Sequence, residues 1–128
     1  MSKQTGYTTP ASAGKSDITL VSSDGISFNL HLKHLEVASD LINDMLESAT
    51  KESTTEPVQL VLTDPKSETA AVLNLVCPFF YNVDLPVLEN ESFDILTGML
   101  EWGDKWATAK VIQASAGSLA AQYVHRIA

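Results

Sequence analysis

The spacing of apolar and polar positions changes several times along this chain, and each change marks an element. In "DITLVSS" Ile18 and Leu20 alternate with polar neighbours, and in "ISFNLHL" Ile26, Phe28, Leu30 and Leu32 do the same. A period of two puts one face of a strand against a core. Between the two runs stands Asp24-Gly25. Both residues tolerate a positive φ, so the pair predicts a β-hairpin closed by a type I′ turn. After Leu32 the pattern becomes helical. Ser39 is placed to N-cap a helix in which Leu41, Ile42, Met45 and Leu46 form one stripe, leaving Asp40, Asn43, Asp44 and Glu47 to water. The polar run "ESATKESTTE" reads as a surface connection to a third strand, "PVQLVLT", in which Val58, Leu60 and Leu62 share a face.

Further on the pattern is helical throughout. Asp64-Pro65 supplies an N-cap and a proline for a first helical position, and "SETAAVLNLVC" is apolar nearly all round from Ala70, as expected of a helix at the centre of a fold. Pro78 is expected to end it. The segment "FFYNVDLPVLENE" reads as a loop, and the next helix is capped at Asn90 or Ser92. In "SFDILTGMLEWGDKWA" the residues Phe93, Leu96, Leu100, Gly103 and Trp106 share one face. The last segment repeats Ile112, Ala116, Leu119, Tyr123 and Ile127 at helical spacing, with Gly117 weakening its middle by roughly 1 kcal/mol. Residues 1–16 are rich in Ser, Thr, Gly and Ala without periodicity, which predicts a disordered N-terminal tail ahead of a single domain over 17–128.

Composition narrows the function classes. A chain of 128 residues that is 45% hydrophobic supports one core. Sixteen acidic residues against eight basic ones give a net charge of -8, and the basic residues are scattered singly. A phosphate backbone would be repelled, so no nucleic-acid partner is expected. The single cysteine, Cys77, lies in an apolar run, which argues against a disulfide framework and suits a reducing compartment. The start lacks an apolar signal region, and no apolar run reaches membrane-spanning length. These features predict an intracellular protein, cytoplasmic or nuclear, with no membrane partner.

The candidate chemistry is sparse. His31 and His34 form an H-x-x-H pair, yet they straddle the strand-to-helix junction and no third ligand is fixed by spacing, whereas zinc takes three or four protein ligands. No metal site is expected. By strand parity His31 falls with Ser27 and Asn29, opposite Phe28 and Leu30, and is expected to be hydrogen-bonded at the strand end, fixing the turn into the helix. A small enzyme using His31 is the alternative. The serines sit in the tail, turns and caps, and the chain has no G-x-S-x-G, G-x-G-x-x-G or Walker run. Cys77 reads as a small buried hydrophobe and Glu89 with Glu91 as a solvated loop. No catalytic residue and no cofactor are expected. Trp102 and Trp106 are i, i+4 neighbours, and Phe79, Phe80 and Tyr81 flank the loop; these belong to the core, and any that is exposed would mark a protein-binding patch.

From about Asp17 to Val124 the ordered set of signals resembles the BTB/POZ domain superfamily, fungal-type BTB domains in particular, and more distantly Skp-type cullin adaptors and elongin C. "SDITLVSSDGISFNLHLKHLEVAS" is similar to the family's Asp-led strand at Asp17, its hairpin at Asp24 and Gly25, the Phe28-x-apolar-His31 end of strand two, and Leu35 with Ser39 opening the next helices. Met45-Leu46, "VQLVL" and "EWGDKW" resemble the family's S-x-x-apolar-x-x-M helix, third strand and A-D-K-Y-like segment. "NLVCPFF" looks like the L-x-Y-P-like end of the central helix in fungal members.

This resemblance implies an α+β fold, a small three-stranded sheet against a cluster of about five helices. It also implies a non-catalytic protein-interaction role, with homo- or hetero-oligomerisation and a homodimer or a cullin as partner. Dimeric members form a charged pocket from an Asp of strand one and a basic residue after the strand-two His. Asp17 matches the first, while Leu32 stands at the second and Lys33 follows one residue later. Ile42 matches the Skp-type branch, where the positions of Asp104 and Lys105 touch the cullin, although neither is the adaptor's Asn or Tyr and Thr108 replaces a usually apolar residue. The candidate partner-binding residues are thus Asp104, Lys105, Trp106 and Leu32. If these 128 residues are the full protein, the resemblance implies a bare adaptor, a self-associating scaffold or a decoy.

Overall fold

A computed structural model describes residues 6–39, 41, 58–81 and 83–127. The described residues form a mixed α+β structure in which the alternating runs become a three-stranded sheet. Strand β1 (Ile18–Val21) pairs antiparallel with β2 (Ser27–Leu30), placing Leu20 opposite Phe28, and parallel with β3 (Val58–Val61), so the order is β2-β1-β3. Ile18, Leu20, Phe28 and Leu30 are buried on one face. On the other face the opposed pair Thr19 and Asn29 is joined by a hydrogen bond from Thr19 Oγ1 to Asn29 Oδ1 of 3.0 Å. Four helices pack with the sheet: α1 (Leu32–Ala38), α2 (Ala70–Val76), α3 (Phe93–Lys105) and α4 (Ala109–Ile127).

The hairpin forms where expected but with a different turn. Gly25 has φ of 88°, whereas the positive-φ non-glycine set among the described residues contains only Ala107, so Asp24 is not in the conformation a type I′ turn requires. The Gly25 N–H donates to Ser22 O at 2.9 Å and Ser22 N–H to Ile26 O at 2.8 Å, a longer loop with glycine at its left-handed position. The Asp24 carboxylate has other work. Its Oδ1 accepts from Ser22 Oγ at 2.6 Å and from the Ala70 N–H at 2.9 Å, tying the hairpin tip to the start of α2.

Leu32 is the first residue of α1 and not the last of a strand. Its N–H donates to Asp17 Oδ1 at 2.7 Å, so a carboxylate from the foot of β1 caps the positive end of the helix. Ser39 closes α1 as its C-cap. The helix stripe of Ile42, Met45 and Leu46 lies outside the described residues.

Helix α2 begins at Ala70, later than Asp64-Pro65 suggests. Asp64 Oδ1 accepts from the N–H groups of Lys66 and Ser67 at 2.8 and 3.1 Å, but it caps only a turn, and Thr69 Oγ1 provides the helix cap by accepting from Val72 N–H at 3.4 Å. The delay lets Glu68 turn inward. Val72, Leu73 and Val76 are buried while Ala71 and Asn74 are exposed, so α2 is covered on one side and not all round. The α-helix ends just before Pro78, as expected, and the chain runs on. It tightens into a 3-10 turn over Cys77–Phe80, whose start has no use for the N–H that proline lacks.

Ser92 caps α3, its Oγ accepting from Ile95 N–H at 3.2 Å. The buried face of α3 is Leu96, Met99, Trp102 and Gly103, rotated from the expected stripe, with Phe93 exposed. The rotation follows from two neighbours: α3 packs on both α2 and α4, so its apolar arc is set between them. At Gly103 a Cβ would come within 2.8 Å of Ile112 Cγ1, a close approach that only glycine permits. Along α4, Val111 and Ser115 are buried while Ala116 and Tyr123 face outward, again offset from the expected stripe.

The described part of the N-terminal segment makes contacts of its own. Gly6 N–H donates to Ser27 O at 2.8 Å and Tyr7 packs against the core, so residues 6–16 lie along β2. A lone aromatic and an edge strand with unused carbonyls are enough to hold a segment that has no periodicity of its own.

Two predictions follow from the turns. Ala107 links α3 to α4 at φ 52°, in the left-handed region, with Thr108 N–H donating to Gly103 O at 2.9 Å. Ala107→Gly should raise stability by about 0.5 to 1 kcal/mol, the relief of the strained φ less the extra freedom of the unfolded chain, read by urea denaturation. The Asp24 carboxyl is held below its usual range, first by the Ser22 hydroxyl and also by the Ala70 N–H. A lowered folded pKa gives stability that is complete above the unfolded value and is lost as pH falls through the folded one. The gap in urea midpoint between the native chain and Asp24→Asn should therefore be widest near neutral pH and close below about pH 4.

Candidate interaction surface

Among the described residues Glu68, which is fully buried, accepts hydrogen bonds from several elements. Its Oε1 accepts from the N–H groups of Thr63 and Asp64 at 3.2 and 2.9 Å, where the chain leaves β3. Its Oε2 accepts from Lys105 Nζ and Trp106 Nε1, each at 3.0 Å, at the C-terminal end of α3. Its backbone carbonyl accepts from Ser23 N–H in the hairpin loop at 2.8 Å. Lys105 Nζ also sits 5.5 Å from the centre of the Trp106 ring, and the Trp106 carbonyl accepts a hydrogen bond from Ser39 Oγ.

A second cluster surrounds His31, which is buried. Its Nε2 lies 2.9 Å from the Gly14 carbonyl oxygen, which can only accept, so this nitrogen carries the proton. Nδ1 then accepts from the Tyr81 hydroxyl at 2.8 Å. Burial pushes the Tyr81 hydroxyl well above its ordinary pKa, which keeps the donated proton in place. His34 Nδ1 donates to Phe80 O at 3.1 Å, and the His34 ring lies 4.5 Å from that of Tyr81. Both ring nitrogens of His31 are occupied by bonds that join the N-terminal segment, the α1 entry and the turn after α2. Burial likewise raises the Cys77 thiol, which stays protonated. Among the described residues no three His, Cys, Asp or Glu side chains are grouped to hold a metal ion.

Of the candidate partner-binding residues, Asp104, Lys105 and Trp106 stand together at the end of α3, and Leu32 is at the entry to α1. Asp17 and Leu32 meet at the α1 entry, but the Leu32 side chain packs against the core and Asp17 is engaged by the Leu32 N–H. Asp104 is exposed at the end of α3. Lys105 is paired with Glu68, and Trp106, only 4% exposed, is a core residue and not an exposed anchor. Trp102 and Phe80 are buried too, and Phe79 is partly covered.

Exposed apolar surface collects elsewhere. Leu85, Val87 and Phe93 are 55%, 76% and 52% exposed along the segment that leads into α3. This segment and α4 bound an open groove of about 1080 Å³, lined by Val87, Leu88, Phe93, Ala114 and Ala121 and by the polar residues Glu89, Glu91, Gln113 and Gln122. Gln122 Nε2 donates to the Glu91 backbone O at 2.8 Å and ties the two walls together. A smaller depression of about 420 Å³ lies between α1 and the start of α4, with His34, Val37, Phe79, Thr108 and Lys110 on its walls.

Sequence reasoning missed Glu68, Tyr81 and the groove. Glu68 had one signal, a single acid directly before an apolar helix, but nothing in its spacing pairs it with Lys105 or Trp106 nearly forty positions on. The groove had a weak one: "DLPVLENE" is more apolar than a solvated loop requires. In comparisons with known proteins, no family model matches this chain and no curated protein matches it. Among the described residues no helix is long and apolar enough to cross a membrane.

Glu68→Ala should destabilise the fold by about 3 kcal/mol, because the Trp106 indole and two backbone N–H groups lose their acceptor in a place water does not reach. Glu68→Gln should cost less, since its amide oxygen can still serve one pair of donors. Chemical denaturation of both variants checks the order; an unchanged midpoint for Glu68→Ala would show that these bonds carry no net stability.

Proposed function

We propose that this chain is a BTB/POZ-type protein-interaction module with no chemistry of its own, acting by homo- or hetero-oligomerisation. Support for the family comes from the hairpin at Asp24 and Gly25, His31 at the strand-to-helix junction, and the mixed sheet packed with helices. The observation that carries the function is the exposed apolar segment Leu85 to Phe93 beside the α4 groove. Single exposed apolar residues are ordinary, but several in one place beside a concave wall are the mark of a surface that another protein covers. The buried polar groups fit the same reading, because His31 and Glu68 are engaged in bonds that hold the fold. A cullin-adaptor version draws on exposed Asp104, while Lys105, also exposed, is engaged by the Glu68 carboxylate.

Site-specific photocrosslinking tests the reading. A benzophenone side chain is placed at Val87 and, as control, at exposed Glu36 on α1, and the protein is irradiated in extract of its source cells and alone at tens of micromolar. A discrete adduct at Val87 but not at Glu36 is expected, its mass separating a second copy from another protein. No discrete adduct at Val87 under either condition overturns the interaction role for this face.

A further inference from the structure

We propose that the groove between the Val87 to Phe93 segment and α4 receives a basic amphipathic segment of a partner protein, its apolar side chains seated on Val87, Leu88 and Ala121 and a Lys or Arg paired with Glu91. The inference rests on the interaction-module reading and adds the chemistry of the partner. Between Gln113 and Gln122 the α4 wall runs about 14 Å, room for roughly two and a half turns of a helix.

The charge of the groove selects the occupant. Glu89 and Glu91 line it, and no Lys, Arg or His is among its lining residues. Glu91 Oε2 is withdrawn from solvent and has no hydrogen-bond partner among the described residues, although the backbone carbonyl of the same residue is satisfied by Gln122. A buried carboxylate oxygen without a donor is unfavourable, and a guanidinium or ammonium brought by a partner would relieve it. The net charge of -8 draws such a segment toward the protein at longer range. The same charge disfavours a second copy, which would bring its own Glu89 and Glu91 against these. Anionic lipid and nucleic acid are repelled for the same reason.

Three synthetic helical peptides of equal length and identical leucine spacing, with Lys, Gln or Glu at their polar positions, test this by calorimetry and by amide chemical shifts of the full chain. The Lys peptide should shift Glu91, Ala114 and Ala121 and weaken with added salt. Its affinity should fall about tenfold in Glu91→Gln and hold in Glu36→Gln. Val87→Asp, folded by circular dichroism, should lose the apolar part of the binding. If the Gln peptide binds the same residues as tightly, the charge requirement is overturned and the interaction role stands. If the Lys peptide shifts another face, ignores Glu91→Gln, or fails to bind, the inference is overturned; a Val87 crosslink to a partner with a neutral or acidic segment would overturn it and leave the interaction role intact.

Discussion

The Glu68 carboxylate is taken out of water and given four donors, and around it the ends of separate elements are gathered. Thr63 and Asp64 bring the exit of β3, Lys105 and Trp106 the end of α3, and Ser23 the hairpin loop through the Glu68 carbonyl. Through Trp106 the set reaches Ser39 at the end of α1. A buried charge is costly unless its lone pairs are satisfied, so these partners are constrained together: moving any one takes a donor from the carboxylate. Nonpolar packing alone would allow α3 to slide or roll on its neighbours. The carboxylate fixes where α3 must stop, and this explains why α2 starts six residues after Asp64, since Glu68 cannot both join a helix face and reach inward.

The cluster around His31 and the segment before α3 differ in how their polar groups are satisfied. His31, Tyr81 and Gly14 close a chain of hydrogen bonds that spans the N-terminal segment and the turn after α2. The segment from Leu85 to Phe93 leaves apolar side chains in water, and Glu91 Oε2 has no donor among the described residues.

Local chemistry was legible in the sequence, and long-range pairing was not. Alternation located β1 and β2, because one buried face per strand forces it, and Ser92 marked the start of α3 because an orphan N–H group needs an oxygen there. Helix faces were read less well. The stripe Phe93, Leu96, Leu100 assumes one packing partner, whereas α3 has two and buries Met99 and Trp102 instead. The turn differs from the expected type I′, and the Asp24 carboxylate is bound by the N–H of Ala70, forty-six positions away. Trp106 shows the same limit from the other side: its size and neighbours suit an anchor or a core residue equally, and only the buried Glu68 decides between them. The bond from Gly6 to Ser27 at the edge of β2 leaves no period in the N-terminal segment itself.

The position of the two tryptophans has a practical side. Trp102 and Trp106 lie 6.1 Å apart, next to Phe80 and the Glu68 carboxylate, and neither lines the α4 groove. Their emission therefore reports on the interior, with a charged quenching environment at one indole, and will register loosening around α3 before any change at the rim. Occupancy of the groove would be silent in that signal. An optical assay for what docks there needs a chromophore carried by the ligand, and a chain that looks inert by intrinsic fluorescence can still be fully bound.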